Sequence, residues 1–344
     1  MIAAMIGAIA GDIIGSRFES EPCKTVDFEL FADGCRPTDD TVMTLAVGEA
    51  VTDTGKPSEA PEYLAALSEN AVRSMRRLGR LYPEAGYGGS FAFWLSSPRP
   101  RPYHSFGNGA AMRVSAVGEA AASLSEARAM SDAVTAVTHD HPEGLLGART
   151  VASCIYLARS GASKSEIRDF VERTAYPLGF TLDSVRPGYV FDVTCRGSVP
   201  YAVRAFLEAS DYEETVRLAV SLGGDSDTLA AIAGSIAEAY YGVPDGIALA
   251  ALERLDAGLI SVYRRSVGCS SKPDCREWYL VSADGSPEPL YYFSRIPVAA
   301  GDRVLVPYGI YGVEKAGRVI GIKTFPRGEE PVDPAKMKYV IAKI

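Results

Sequence analysis

Met1-Ile2-Ala3-Ala4-Met5-Ile6-Gly7-Ala8-Ile9-Ala10-Gly11-Asp12-Ile13-Ile14-Gly15 opens the chain. Ile2, Met5, Ile6, Ile9 and Ile13 recur at helical spacing, which predicts a buried helix. Gly7, Gly11 and Gly15 recur every four residues and so share one side of it, a smooth face for a second helix at close range. The stretch has no basic start and Asp12 interrupts its apolar run, so it lacks the form of a secretory leader. Nowhere does the chain reach the roughly 20 apolar residues that span a bilayer, so no membrane partner is expected.

Outward from this helix, apolar periodicity predicts further helices over 41–52, 61–80, 109–122, 126–138, 142–160 and 164–175. Four more follow over 199–209, 212–222, 228–241 and 245–265. Pro142 with Glu143 suits a helix start, Asn108 and Ser125 suit N-caps, and Gly161 and Gly242 suit C-terminal stops. Strand signal is limited to short pieces near 24–31 and 189–194. Residues 1–268 are therefore expected to form an all-α, multi-helix bundle. After Gly268 the character changes to short β-branched and aromatic runs: Trp278–Val281, Leu290–Phe293, Val304–Pro307, Arg318–Ile322 and Lys338–Ile341. Gly, Pro and Asp separate them, which predicts a small β-barrel or sheet module over 277–344. Residues 270–344 hold 11 Lys and Arg against 9 Asp and Glu, whereas the whole 344-residue chain carries a net charge of −8.

That net charge argues against general nucleic-acid binding by the whole molecule. Six scattered cysteines without a CxxC pair are expected to be free thiols in a reducing, cytoplasmic setting. There is no GxSxG nucleophile elbow and no Walker A loop, which leaves serine-hydrolase and ATP-hydrolysing chemistry without an anchor. His139 and His141 make an HxH, but with no third His or nearby Cys it lacks a zinc-ligand set.

Two short clusters each open a helix: Thr38-Asp39-Asp40-Thr41 and Asp225-Ser226-Asp227-Thr228. One such cluster alone would serve as an N-cap. Two adjacent aspartates exceed what a cap needs, and Gly223-Gly224 before Asp225 would let the backbone approach a ligand closely. Facing each other, the clusters would offer hard oxygen ligands to a pair of divalent cations. Gly107-Asn108-Gly109 reads on local sequence as a plain Gly-rich turn with an Asn cap, and alternatively as a place where backbone N–H groups face an anion at the start of a helix. Ser105 would add a hydroxyl, and Phe106 a stacking surface. Gly86, Gly88, Gly89 and Ser90 form another flexible turn that would border a pocket.

Taken together, these segments resemble the ADP-ribosylglycohydrolase family. The match rests on Gly11-Asp12-Ile13-Ile14-Gly15 with Glu19, on Thr38-Asp39-Asp40-Thr41, and on Gly107-Asn108-Gly109-Ala110-Ala111-Met112-Arg113. Thr138-His139-Asp140-His141-Pro142-Glu143-Gly144 and Gly223-Gly224-Asp225-Ser226-Asp227-Thr228 complete it, in family order over about residues 2–245. The resemblance implies an all-α catalytic domain that removes ADP-ribose from a modified protein or a small conjugate. It implies two Mg²⁺ ions, with Mn²⁺ as the alternative, held by Thr38, Asp39 and Asp40 from one side and Asp225, Asp227 and Thr228 from the other. Glu19, Asp39 and Asp40 would be catalytic, Glu19 positioning or deprotonating the water or coordinating a metal in the resting state, and His139 would lie near the diphosphate or ribose. A dinuclear phosphoesterase and a non-catalytic ADP-ribose binder are the rival readings. Which linkage is cleaved stays open, with arginine favoured by analogy. Separately, Gly301-Asp302-Arg303-Val304-Leu305-Val306-Pro307-Tyr308-Gly309 resembles the small N-terminal β domain of primosomal PriA-type helicases, which implies a nucleic-acid partner. Packing, oligomerisation and substrate-protein docking are the alternative roles for that module.

Overall fold

Gly7, Gly11 and Gly15 lie on one face of helix α1 (Ile6–Gly15), and that face rests on helix α12 (Ser226–Tyr241). A methyl group at Gly11 would sit 2.1 Å from the carbonyl oxygen of Ala230, and one at Gly15 2.5 Å from that of Ser226. From the other side, one at Gly234 would sit 2.4 Å from the carbonyl of Gly7. The two backbones therefore touch, and no residue with a side chain fits at these points. The computed structural model describes residues 5–267, 275–286, 288–292, 298–308, 313–326 and 338–344. Ile2, Phe293 and the expected boundary around 268–274 lie outside them.

Around the α1–α12 pair the remaining helices are α2 (Asp39–Thr54), α3 (Pro61–Leu81), α4 (Gly89–Ser96), α5 (Ser115–Ala120), α6 (Leu124–Thr135), α7 (Pro142–Arg159) and α8 (Lys164–Thr174). They continue with α9 (Leu182–Val185), α10 (Cys195–Glu208), α11 (Tyr212–Val220), α13 (Asp245–Leu252) and α14 (Ala257–Ser266). Helix α2 packs between α3 and α14, while α12 is covered by α7, α10 and α11. Glu49 of α2 is buried and tied to Arg77 of α3 at 2.6 Å and to Arg265 of α14, which joins these three helices.

Several local expectations change. The stretch 245–265 is two helices, because Asp256 accepts from Leu259 N–H at 2.9 Å and starts a new one. The stretch expected to be helical from 109 begins instead as a 3-10 turn, Asn108–Ala110, and the α-helix starts only at Ser115. Ser123, not Ser125, caps α6. No strand forms over 24–31: the carbonyls there are taken by side-chain cations. Arg217 donates to those of Val26 and Phe28, Arg17 to Glu29 and Arg254 to Phe31, so the segment needs no strand partner. The region 189–194 contributes one antiparallel bridge, Gly107 to Thr194, and no strand.

The chain divides into two compact units, residues 1–270 and 271–344. The second is a five-stranded antiparallel sheet of β1 (Cys275–Ala283), β2 (Leu290–Tyr292), β3 (Arg303–Tyr308), β4 (Val313–Pro326) and β5 (Ala342–Lys343). The strand order is β2-β1-β4-β3-β5. Val281, Tyr292, Val304, Val306 and Val319 are buried in a core of its own. No helix among the described residues is long and apolar enough to cross a membrane.

Candidate active site

The α1–α12 contact decides what meets at the cavity. Asp12, on α1, is fully buried and accepts four hydrogen bonds from the turn that starts α2. Thr38 N–H donates at 2.9 Å, Thr38 Oγ1–H at 2.6 Å, Thr41 N–H at 3.0 Å, and the Thr41 hydroxyl also donates. Three of these bonds reach Oδ2 and one Oδ1, so Asp12 acts as the anchor of the Thr38–Thr41 turn. Thr38 also caps α2. Asp39 and Asp40 are thus free of capping duty. At α12, Asp225 occupies the cap position without making a cap bond; Asn108 Nδ2 donates to its Oδ2 at 2.6 Å and to Ser198 Oγ at 2.9 Å. Gly223 and Gly224 both adopt positive φ, +69° and +72°, a double reversal that sets Asp225 at the head of the helix.

Asp40 and Asp227 face each other, and Thr228 Oγ1–H donates to Asp40 Oδ2 at 3.1 Å across 188 residues of sequence. Carboxylate oxygens of Asp12, Asp40 and Asp227 lie within 4.8 Å of one another, as do those of Glu19, Asp225 and Asp227, so Asp227 belongs to both groups. Asp40 Oδ1 is buried with no hydrogen-bond partner. Burial, followed by Asp227, drives the Asp40 carboxyl well above its usual range. Burial, followed by Asp225, does the same to Asp227. Asp39 is pushed to about 7 by burial and then by Asp12. Glu19, just past the 3-10 turn Ser16–Phe18, is raised by burial and then by Asp225. An unpartnered buried oxygen among mutually repelling carboxylates fits a site for divalent cations.

Glu19, Asp39, Asp40, Asp225 and Asp227 form the acidic floor of a cavity of about 350 Å³; Asp12 lies outside its lining. Gly86, Gly88, Gly89 and Ser90 border it, with Met43, Phe91, Tyr103 and Met112 as apolar wall. Ser105, Gly107, Gly109 and His139 also line it. Arg113 Nη2 lies 3.4 Å from His139 Nδ1 and donates to Thr138 Oγ1 at 2.6 Å. Thr138 Oγ1 lies closer to the same nitrogen, at 2.8 Å; since arginine only donates, an accepting Nδ1 with the proton on Nε2 suits both contacts. Burial, and then the Arg113 charge, hold the imidazole well below its usual pKa, hence neutral. A methyl group at Gly109 would stand 3.4 Å from His139 Nε2, and one at Gly107 3.6 Å. The glycines leave that N–H open to the cavity.

The candidate residues fall into distinct places. Asp39, Asp40, Asp225, Asp227, Thr228, Glu19, Ser105, Gly107, Asn108, Gly109 and His139 all line the cavity. Thr38 is buried behind it, bonded to Asp12. Asn108 spends its amide on Asp225 and its N–H on the carbonyl of Val193 at 2.7 Å. Phe106 lies outside the lining, half exposed and edge-on to His141 at 5.4 Å. Phe191 and Val193 line the cavity instead, from a loop whose sequence carries no functional signal. Arg113 is buried without a carboxylate partner and was assigned no role from sequence. Asp12 was visible only as part of the Gly11–Gly15 motif.

The sequence model of the ADP-ribosylglycohydrolase family matches residues 1–267. ADP-ribosylhydrolase ARH3 of Bos taurus is 27% identical over 322 residues, covering 70% of this chain and 84% of the relative. The Homo sapiens ARH3 is likewise 27% identical, over 320 residues, with the same coverage. ADP-ribosylarginine hydrolase Tri1 of Pseudomonas putida is 29% identical over 120 residues, 32% of this chain and 31% of the relative. A solved structure titled "ADP-ribosylglycohydrolase-related protein complex" superposes with a TM-score of 0.54 at 24% identity, covering 78% of this chain and 97% of that one. It shares the fold. With the sequence match running from α1 through α14, and the acidic floor set by α2 and α12 inside it, the chain belongs to the ADP-ribosylglycohydrolase family.

Proposed function

We propose that the protein hydrolyses the glycosidic bond between ADP-ribose and a modified side chain or related conjugate, releasing ADP-ribose, with Mg²⁺ as the working cation. The observation that carries this reading is that one cavity holds both the acidic group, Asp40, Asp225 and Asp227 with Glu19, and a neutral His139. Asp39, Asp40, Asp225, Asp227 and the Thr228 hydroxyl would hold divalent cations, which would supply Lewis acidity toward the ribose hydroxyls and the attacking water. His139 Nε2–H donates to a diphosphate oxygen. Its Nδ1 faces the Thr138 hydroxyl and Arg113. Met43, Phe91, Tyr103, Met112, Phe191 and Val193 give the adenosine part an apolar wall. Glu19, with its raised carboxyl pKa, takes the proton from water. The ribose becomes oxocarbenium-like as the leaving group departs, and the acidic floor stabilises that charge.

Arginine-, serine- and nucleic-acid-linked ADP-ribose, each incubated with and without Mg²⁺ or Mn²⁺, test the reading. Mg²⁺-dependent release of free ADP-ribose from at least one of them is expected. AMP as the product would establish the phosphoesterase alternative, and tight ADP-ribose binding without any release the non-catalytic one. Calorimetry should find ADP-ribose bound at least ~10-fold more tightly than AMP, because only the former carries the distal ribose diol. The free thiols of Cys23, Cys35, Cys154 and Cys195 fit a cytoplasmic setting.

Residues 1–268 are proposed to act as a self-sufficient catalytic domain, since every cavity-lining residue precedes position 229 and each unit has its own core. Removal of 270–344 should leave helical circular dichroism and the cleavage rate on a small ADP-ribosyl substrate within about threefold of the full chain. A folded but inactive truncation would mean that the sheet completes the active protein. A preference for 3′-ended single strands that is present in the full chain and lost on truncation would assign the sheet a nucleic-acid role.

A further inference from the structure

Lys24 takes no part in the chemistry above, yet its ammonium joins three stretches of chain that wall the cavity. Nζ–H groups donate to the carbonyls of Arg186 at 3.0 Å, of Tyr189 at 2.7 Å and of Leu222. Three donors meet three acceptors. None of these carbonyls belongs to a helix interior or a sheet, so none has a ladder partner to compete for it. Each stretch leads to a cavity residue. Lys24 follows Glu19 on the same irregular segment; Tyr189 precedes Phe191 and Val193; Leu222 immediately precedes Gly223-Gly224-Asp225. Gly223 is shaped to receive the ammonium. Its φ is +69°, and a methyl group there would press on Lys24 Nζ and Cε at 3.3 Å.

We propose that Lys24 is a positioning residue for the hydrolysis: it locks the Glu19 segment, the Phe191–Val193 wall and the Asp225 turn into one relative arrangement. The role rests on the hydrolase reading for its effect on rate, but not for its effect on the loops. A compact ammonium can point three N–H bonds at three converging carbonyls, whereas a planar guanidinium cannot. The lock therefore depends on the shape of lysine and not merely on its charge. A misplacement of the order of 1 Å at a catalytic group costs up to ~10²-fold in rate.

The test uses the full chain with Lys24→Met, Lys24→Arg and Lys24→Ala. Hydrogen exchange without substrate or metal should be at least ~10-fold faster in Lys24→Met across all three segments, 19–31, 186–193 and 222–225, with α6 and α7 unchanged. Exchange that rises only beside residue 24 would overturn the lock. On an ADP-ribosyl substrate, kcat should fall at least ~10-fold in both Lys24→Met and Lys24→Arg. Full activity in Lys24→Arg would mean that only the positive charge matters. n-Propylammonium, which replaces the atoms missing from Lys24→Ala, should restore kcat at least ~10-fold where tetramethylammonium at equal ionic strength does not; equal effects of the two would also overturn the proposal. Should Lys24→Met fail to fold, the same exchange comparison is read on Lys24→Arg. Wild-type protein that releases no ADP-ribose would sink the hydrolase reading alone, since the exchange pattern still decides the lock.

Discussion

Asp227→Ala is expected to lower Mg²⁺-dependent release of ADP-ribose by at least ~10³-fold while leaving the metal-free protein as stable as wild type, within about 1 kcal/mol. Asp227 belongs to both groups of close-set carboxylates, so one substitution removes a ligand from each. Ordinarily a buried polar deletion destabilises. Here the deleted group repels its neighbours: Asp227 is second only to burial in raising the Asp40 carboxyl. The pH dependence of the metal-free protein follows with a definite sign. The folded Asp39 carboxyl, raised from 3.8 to about 7, holds a proton that the unfolded chain has already released. Its contribution to stability is complete below about pH 3.8 and is lost as pH rises through about 7. In chelator, Tm of the wild type should therefore fall between pH 5 and pH 8. Asp227→Ala should show a shallower fall, and saturating Mg²⁺ should flatten the wild-type curve. Differential scanning calorimetry with metal analysis checks each part, and undiminished Mg²⁺-dependent turnover in folded Asp227→Ala would refute the acidic floor as the cation site.

Glu19→Gln should reduce kcat by at least ~10²-fold, the low end for a lost general base, with ADP-ribose affinity kept within about tenfold. The amide preserves the shape of the carboxyl but cannot take a proton from water. Glu19 is well placed for this. It lies on the cavity wall, more exposed than the buried Asp225 and Asp227, and its pKa is raised by burial and by Asp225. A base whose pKa approaches the working pH is the more effective one. Parallel loss of binding and rate would make Glu19 a cation or substrate ligand instead, and unchanged kinetics would remove it from the reaction. Stopped-assay rates together with calorimetric ADP-ribose binding separate the three outcomes.

Periodicity alone located most of the helices, because a buried helix must repeat its apolar residues every three to four positions wherever it packs. It also showed that α1 would have a smooth glycine face, and the stop at Gly242 and the start at Pro142 were visible as local chemistry. The two acidic clusters stood out because adjacent carboxylates exceed what a helix cap uses. What periodicity could not show was the partner of that glycine face. Only the tertiary structure reveals it as α12, the helix that begins at the second acidic cluster, and so places Asp12, Asp40 and Asp227 together.

Other features needed the same step. The segment 24–31 looks strand-forming in isolation, but its carbonyls are claimed by Arg217, Arg17 and Arg254, two of them almost two hundred residues away or more. Asn108 suits a cap by type, and its amide instead bonds Asp225, a contact with no trace in local sequence. Phe191 and Val193 lie in a stretch that looks strand-forming in isolation, and instead reach the cavity from an irregular loop. Sequence thus determined most of the helices, the second unit of short strands and the residue types of the acidic site, since those depend on neighbours a few positions apart. The tertiary structure decided the anchoring role of Asp12 and the three-way grip of Lys24, since each depends on hydrogen-bond partners brought together from distant parts of the chain.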